Sequence, residues 1–231
     1  MPNLKKLTSI FVTLLALGGC AATSNVYQNS GSMVPPDAPT MVLLPPDFEV
    51  SIKNAGGDLE LDIELTAQAR DGYQAAVMEL MFEKGVRLIP YGSDSFSDAH
   101  LELVRESNTV MDSIELSQSA KSSLGSSRNL SLSESARETL AQFGAQYATF
   151  TIFRAVTPSG GRQAVAVIAA LGGVAVQTSE AKFRVAVFDL RDGQCIWANF
   201  DPDALPDGRW ANADEEQWIK NTEHMYQGIP F

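Results

Sequence analysis

Lys182–Phe200 reads KFRVAVFDLRDGQCIWANF, and this stretch decides the fold. Asp192-Gly193 is a strong hairpin signal, because its glycine takes a positive φ without steric cost. Lys182 to Leu190 and Gln194 to Phe200 are therefore expected to pair as antiparallel strands. In the first strand Val185 and Val187 face one way, and Ala186, Phe188 and Leu190 the other. A strand that is apolar on both sides needs cover on both sides, which makes it a central strand. In the second strand, Cys195 is expected as a small buried hydrophobe and Trp197 as a core anchor rather than a ligand-stacking residue.

Upstream, helical and extended patterns alternate, the mark of an α/β domain. Met41-Val42-Leu43-Leu44 is an apolar run halted by Pro45-Pro46, a candidate first strand. Asp58 to Leu65 alternates, with Leu59, Leu61, Ile63 and Leu65 against Asp58, Glu60, Asp62 and Glu64, and predicts a half-buried strand with a charged solvent face. A cation site on those carboxylates is disfavoured, since calcium loops wrap their ligands around a turn. Ala69, Tyr73, Ala76, Val77, Leu80 and Met81 have helical spacing, and the helix should stop at Gly85 before a strand over Val86 to Pro90.

A polar helix is expected between Asp98 and Ser117, and Ser117 to Ser131, with seven serines, as a loop. Ser131 and Glu134 spell a capping box for a helix carrying Leu132, Ala136, Leu140 and Phe143, with Gly144 as its stop. Tyr147 to Arg154 is β-rich and leads into a Pro158-Ser159-Gly160-Gly161 turn. Asp214, Glu215 and Glu216 suit the start of a last helix carrying Trp218, Ile219, Met225 and Tyr226; Gly228 ends it and Ile229-Pro230-Phe231 packs down. The fold class is α/β, a single domain with a mixed sheet and packed helices.

The chain has 231 residues, 45% hydrophobic and 19% charged, with a formal charge of −11. That composition suits a globular body and speaks against nucleic acid as the partner, since the overall field repels phosphates. Two Cys and two His are too few for a structural zinc site or a disulfide framework. No G-x-S-x-G, H-E-x-x-H, P-loop, C-x-x-C or G-x-G-x-x-G is present, so no catalytic residue, metal or cofactor is assigned. Asp47 and Glu49 could act as an acid and base, but two carboxylates after Pro-Pro fit a solvated loop better. His100 and His224 fit surface or helix-capping positions.

Lys5 and Lys6 precede an uncharged stretch ending in Leu17-Gly18-Gly19-Cys20. This has the form of a secretory signal, and the tetrapeptide resembles a bacterial lipobox whose Cys20 is acylated after removal of residues 1–19. That removal takes both lysines and leaves 212 residues carrying −13. Several acyl chains on one residue give stable attachment where one would be marginal. By analogy with lipoprotein sorting in Gram-negative bacteria, Ala21 and Ala22 rather than an Asp after the Cys suggest export to the outer membrane, on its periplasmic face. Residues 20–40, rich in Ala, Ser, Asn, Gly and Pro, are expected as a tether, and 41–231 as the periplasmic domain.

Ala164 to Val176 contains thirteen consecutive residues without a polar side chain. A helix of that length spans about 20 Å, short of the ~30 Å hydrocarbon core. Gly172-Gly173 could instead turn a strand pair. A core element is one expectation; the other is a surface touching the bilayer or another protomer, with Val165, Val167, Ile168, Leu171, Val174 and Val176 as its interface.

Val42 to Pro46, the Gly144-Ala145-Gln146-Tyr147 step and Val187 to Trp197 together resemble small outer-membrane lipoproteins with the fold shared by penicillin-binding-protein activators and curli secretion-channel subunits. Asp189, Gly193 and Trp197 match the D-x-x-x-G-x-x-x-W hairpin common in that group. Members of that group act by binding and assembly; with the anchor, the missing catalytic motifs and the apolar run, the expectation is a non-catalytic accessory or scaffold that binds another envelope protein, with a homo-oligomer through 164–176 as one form of that contact. Its alternative is a subunit of an outer-membrane secretion or transport complex, though the apolar run departs from the alternation of a channel hairpin.

Overall fold

The computed structural model describes residues 26–29, 38–91, 98–119, 131–171, 180–200 and 213–231. Within them one mixed eight-stranded sheet is built from β1 (Val26–Gln28), β2 (Thr40–Leu43), β3 (Asp47–Lys53), β4 (Leu59–Leu61), β5 (Arg87–Pro90), β6 (Tyr147–Pro158), β7 (Glu180–Asp189) and β8 (Cys195–Asn199). The strand order is β1-β8-β7-β6-β2-β5, with β3 paired to β6 and β4 to β3. β6 is the spine. β2 and β3 form one extended run broken at Pro45-Pro46, whose rings cannot donate to a ladder. β2 is parallel to the start of β6 (Met41↔Tyr147) and β3 to its end (Lys53↔Pro158).

The hairpin expected from Asp192-Gly193 is present: β7 and β8 are antiparallel, with Gly193 at φ 76°. β7 has a neighbour on either side, and its alternating residues feed two cores. Val185 and Val187 join the core under α1 (Ile63–Glu83) and α5 (Glu215–Met225), while Ala186 and Phe188 join the one under α2 (Asp98–Ser119) and α3 (Glu134–Ala141). α1 buries Ala69, Tyr73, Ala76, Val77, Leu80 and Met81, the stripe expected from their spacing. Arg184 ties α2 to the sheet through Asp112 at 2.5 Å and Glu115 at 3.4 Å. Tyr147 meets the C-terminal Phe231 at 5.0 Å between ring centroids, so the apolar tail packs down.

Several expectations are corrected. The strand expected over Asp58 to Leu65 is only β4, whose three residues are all exposed; Asp62 then accepts from the Leu65 amide at 2.9 Å and caps α1, so Ile63 and Leu65 are helical. A helix that starts there replaces the alternating ladder, and the four carboxylates do not share one face. α3 is capped by Ser133, not Ser131, with the Ala136 amide donating to its hydroxyl at 3.2 Å. The carboxylate that completes the cap is Glu106 on α2, which accepts from the Ser133 amide and, at 2.8 Å, from its hydroxyl. Val26–Gln28, placed in the tether by composition, forms an edge strand on β8 (Val26↔Asn199). Asp47 and Glu49 lie on β3 rather than in a loop.

The remaining tether and the signal segment, Cys20 included, lie outside the described residues, as do 120–130 of the serine-rich segment.

Candidate functional site

The apolar run resolves into α4 (Gly160–Leu171), a helix and not a strand pair up to that point; Val174 and Val176 lie outside the described residues. Pro158 closes β6, and Ser159 opens the helix by accepting from the Arg162 amide at 3.3 Å. The expected Pro158–Gly161 turn is thus shortened by the helix. α4 contains no buried residue, which overturns the core-element expectation for Ala164 to Leu171. Arg162, Ala166 and Ala169, at i, i+4 and i+7, are its half-buried positions. Its bulky members stand outward: Val165 is 48% exposed, Val167 62%, Ile168 69% and Leu171 85%. An ordinary amphipathic helix puts large apolar side chains inward; here alanine faces the body and the branched residues face out. The first turn contains no acidic residue.

This surface sits at the end of the sheet where β6 finishes. The Ser159 amide donates to the Lys53 carbonyl at 2.9 Å, and Lys53 pairs with both Pro158 and Leu59. Leu59, Leu61 and Ile63, expected in the core, are exposed near the same end. At the opposite end, where α1 runs out beside the start of β6, Phe82 is 83% exposed and Met78 is exposed too. Phe82 falls off the α1 stripe, the one sequence signal that could have found it.

The polar candidates are engaged. Arg154 binds Asp47 at 2.6 Å and Glu49 at 3.6 Å, so neither carboxylate stands as a free acid or base. Tyr73 and Tyr226 share a buried hydroxyl cluster, with Tyr73 Oη 2.5 Å from Thr151 Oγ1 and 2.8 Å from Tyr226 Oη, itself 3.1 Å from Thr149 Oγ1. Burial holds both phenols above their ordinary range, so they stay protonated inside the body. Cys195 is buried, and burial pushes its thiol up to about 12. Trp197 is fully buried and stacked on Tyr226 at 5.9 Å. Burial raises the Asp189 carboxyl, but hydrogen bonds from the Arg191 side chain and backbone outweigh it and hold the group low. His224 sits in the last turn of α5; His100 is on α2, its side chain outside the described set. Among the described residues no cluster of three His, Cys, Asp or Glu could hold a metal ion.

Fold and surface together define a class: a single α/β domain whose helices cover both sheet faces and whose one outlying helix presents an open apolar side. No protein-family model and no curated protein sequence matches the chain. Among solved structures it is similar to the LpoB C-terminal domain from Salmonella enterica, at 13% identity and a TM-score of 0.29 over 74% of this chain and 84% of that one. It is similar also to a PelC dodecamer from Paraburkholderia phytofirmans, at 13% identity and a TM-score of 0.31 over 87% of this chain and 96% of that one.

Proposed function

We propose that this protein is a lipid-anchored envelope accessory, moored through Cys20 to the periplasmic face of the outer membrane. It acts as a non-catalytic scaffold that binds another envelope protein. One observation carries the reading: apolar surface is left open at both ends of the body, on α4 at one and at Phe82 and Met78 at the other. Contiguous open hydrophobes on a folded domain mark contact surfaces. Engagement of Asp47 and Glu49 by Arg154 and burial of Cys195 support action by contact rather than by covalent chemistry.

The test places a photo-crosslinking side chain at Phe82 and, separately, at Ile168 in the full chain in intact cells. A discrete adduct with another envelope protein from either position is expected, and an adduct at twice the chain's own mass would identify a homo-oligomer. Absence of any protein adduct from both positions overturns the scaffold reading.

A further inference from the structure

The strand directions bring the anchor and α4 to the same end of the sheet. β7 is antiparallel to β6, β8 to β7 and β1 to β8. β1 therefore runs away from the end at which β6 gives way to α4, and the chain before Val26 reaches the sheet from that end. Val26 is level with Thr151 through Asn199 and Val185. From there β6 extends seven more residues to Pro158, about 23 Å at ~3.3 Å each. Cys20 lies six residues before Val26, a reach of at most ~22 Å when fully extended. A body held at Cys20 is thus held on a short arm, with its α4 end toward whatever holds the arm.

We infer that the open face of α4, formed by Val165, Val167, Ile168 and Leu171, is a second membrane contact that rests on the lipid leaflet carrying the Cys20 anchor. This inference depends on the proposed acylation of Cys20 and names the occupant of the α4 surface, leaving Phe82 and its surroundings for a protein. At ~18 Å, twelve residues of helix are too short to cross a bilayer, so α4 lies in the plane of the interface with its apolar side at the boundary of headgroups and acyl chains. Its sequence suits that place. In a chain of charge −11, Gly160–Leu171 carries no carboxylate, and its one charge is Arg162. Lys53 and Lys182 share that end of the sheet with Asp58, Glu60 and Glu180, so net attraction to anionic headgroups is small there and the apolar side chains make the contact.

The experiment uses the full lipidated chain in vesicles of phosphatidylethanolamine and phosphatidylglycerol. An environment-sensitive fluorophore is attached at Ile168→Cys or, as a control, at Phe82→Cys. Cys195 is buried and does not compete for the label. A blue-shifted emission at Ile168 that is quenched by acyl-chain spin-labelled lipid is expected, with little quenching at Phe82. Three results overturn the inference. Solvent-like emission at Ile168 on protein that floats with the vesicles removes the α4 contact and leaves the anchor standing. A blue shift without lipid quenching that grows with protein density assigns α4 to a second copy. Failure of the protein to float with the vesicles removes the anchor, and the inference with it.

Discussion

Replacing Gly193 by Ala tests the turn on which the central hairpin depends. Gly193 sits at φ 76°, and a Cβ there would stand 2.7 Å from the Leu132 carbonyl oxygen and 2.9 Å from Arg137 Cδ. The left-handed backbone costs an L-residue about 1–2 kcal/mol. The closer of the two conflicts is with backbone, which cannot swing aside as the Arg137 side chain can, and overpacking of that kind costs about 1–3 kcal/mol more. The Leu132 amide also donates to the Gly193 carbonyl at 2.9 Å, so relief by moving the turn strains the link between hairpin and α3. A total of roughly 2–5 kcal/mol follows from these terms.

Gly85→Ala is the matched control, because Gly85 has φ 72° and nothing within 4 Å of its Cβ position; it should lose only the conformational ~1–2 kcal/mol. Urea unfolding of a Cys20→Ser chain beginning at residue 20 gives both values. The contrast of about 1–3 kcal/mol between the two variants is the steric part, worth roughly 2–4 °C in Tm per kcal/mol at this size. If the two variants agree within about 0.5 kcal/mol, the Leu132 contact does not constrain the turn and the reasoning fails.

Two further outcomes follow from the interior. Tyr226→Phe keeps the ring stacked on Trp197 but strips the hydroxyl shared with Tyr73 and Thr149, and should cost about 1–3 kcal/mol in urea unfolding for leaving buried partners short; an unchanged midpoint would show that the cluster adds nothing. Cys195, with its thiol pushed up to about 12, should resist a thiol reagent at pH 8 in the folded state and react promptly in denaturant, as followed by mass. Prompt reaction of the folded chain would mean that β8 opens readily.

The sequence was most legible where periodicity and tertiary environment agree. The α1 stripe and the two-sided β7 pattern were both readable, since each residue's neighbours follow from helical or extended spacing alone. Alternation over Leu59 to Leu65 misled because Asp62, one of its charged positions, is also a good helix cap, and capping took over after three strand residues. Ser131 and Ser133 compete for one cap, and Glu106, twenty-seven residues upstream of Ser133, breaks the tie; no local pattern contains that information. Val26–Gln28 is too short and too polar in its surroundings to stand out as a strand, and forms because β8 offers it an edge. For α4 the composition gave the apolar content but not its cover, since burial is decided by what packs against a segment and only its alanine side meets the body. From the sequence the residues through Leu171 fit either a core or an interface, and their exposure decides between the two.

Mass spectrometry of the N-terminal peptide from membrane-extracted native protein tests the central claim most directly. The account predicts a chain beginning at Cys20, with residues 1–19 gone and lipid mass on that cysteine. A peptide that still starts at Met1, or a Cys20 bearing no acyl chain, would contradict it.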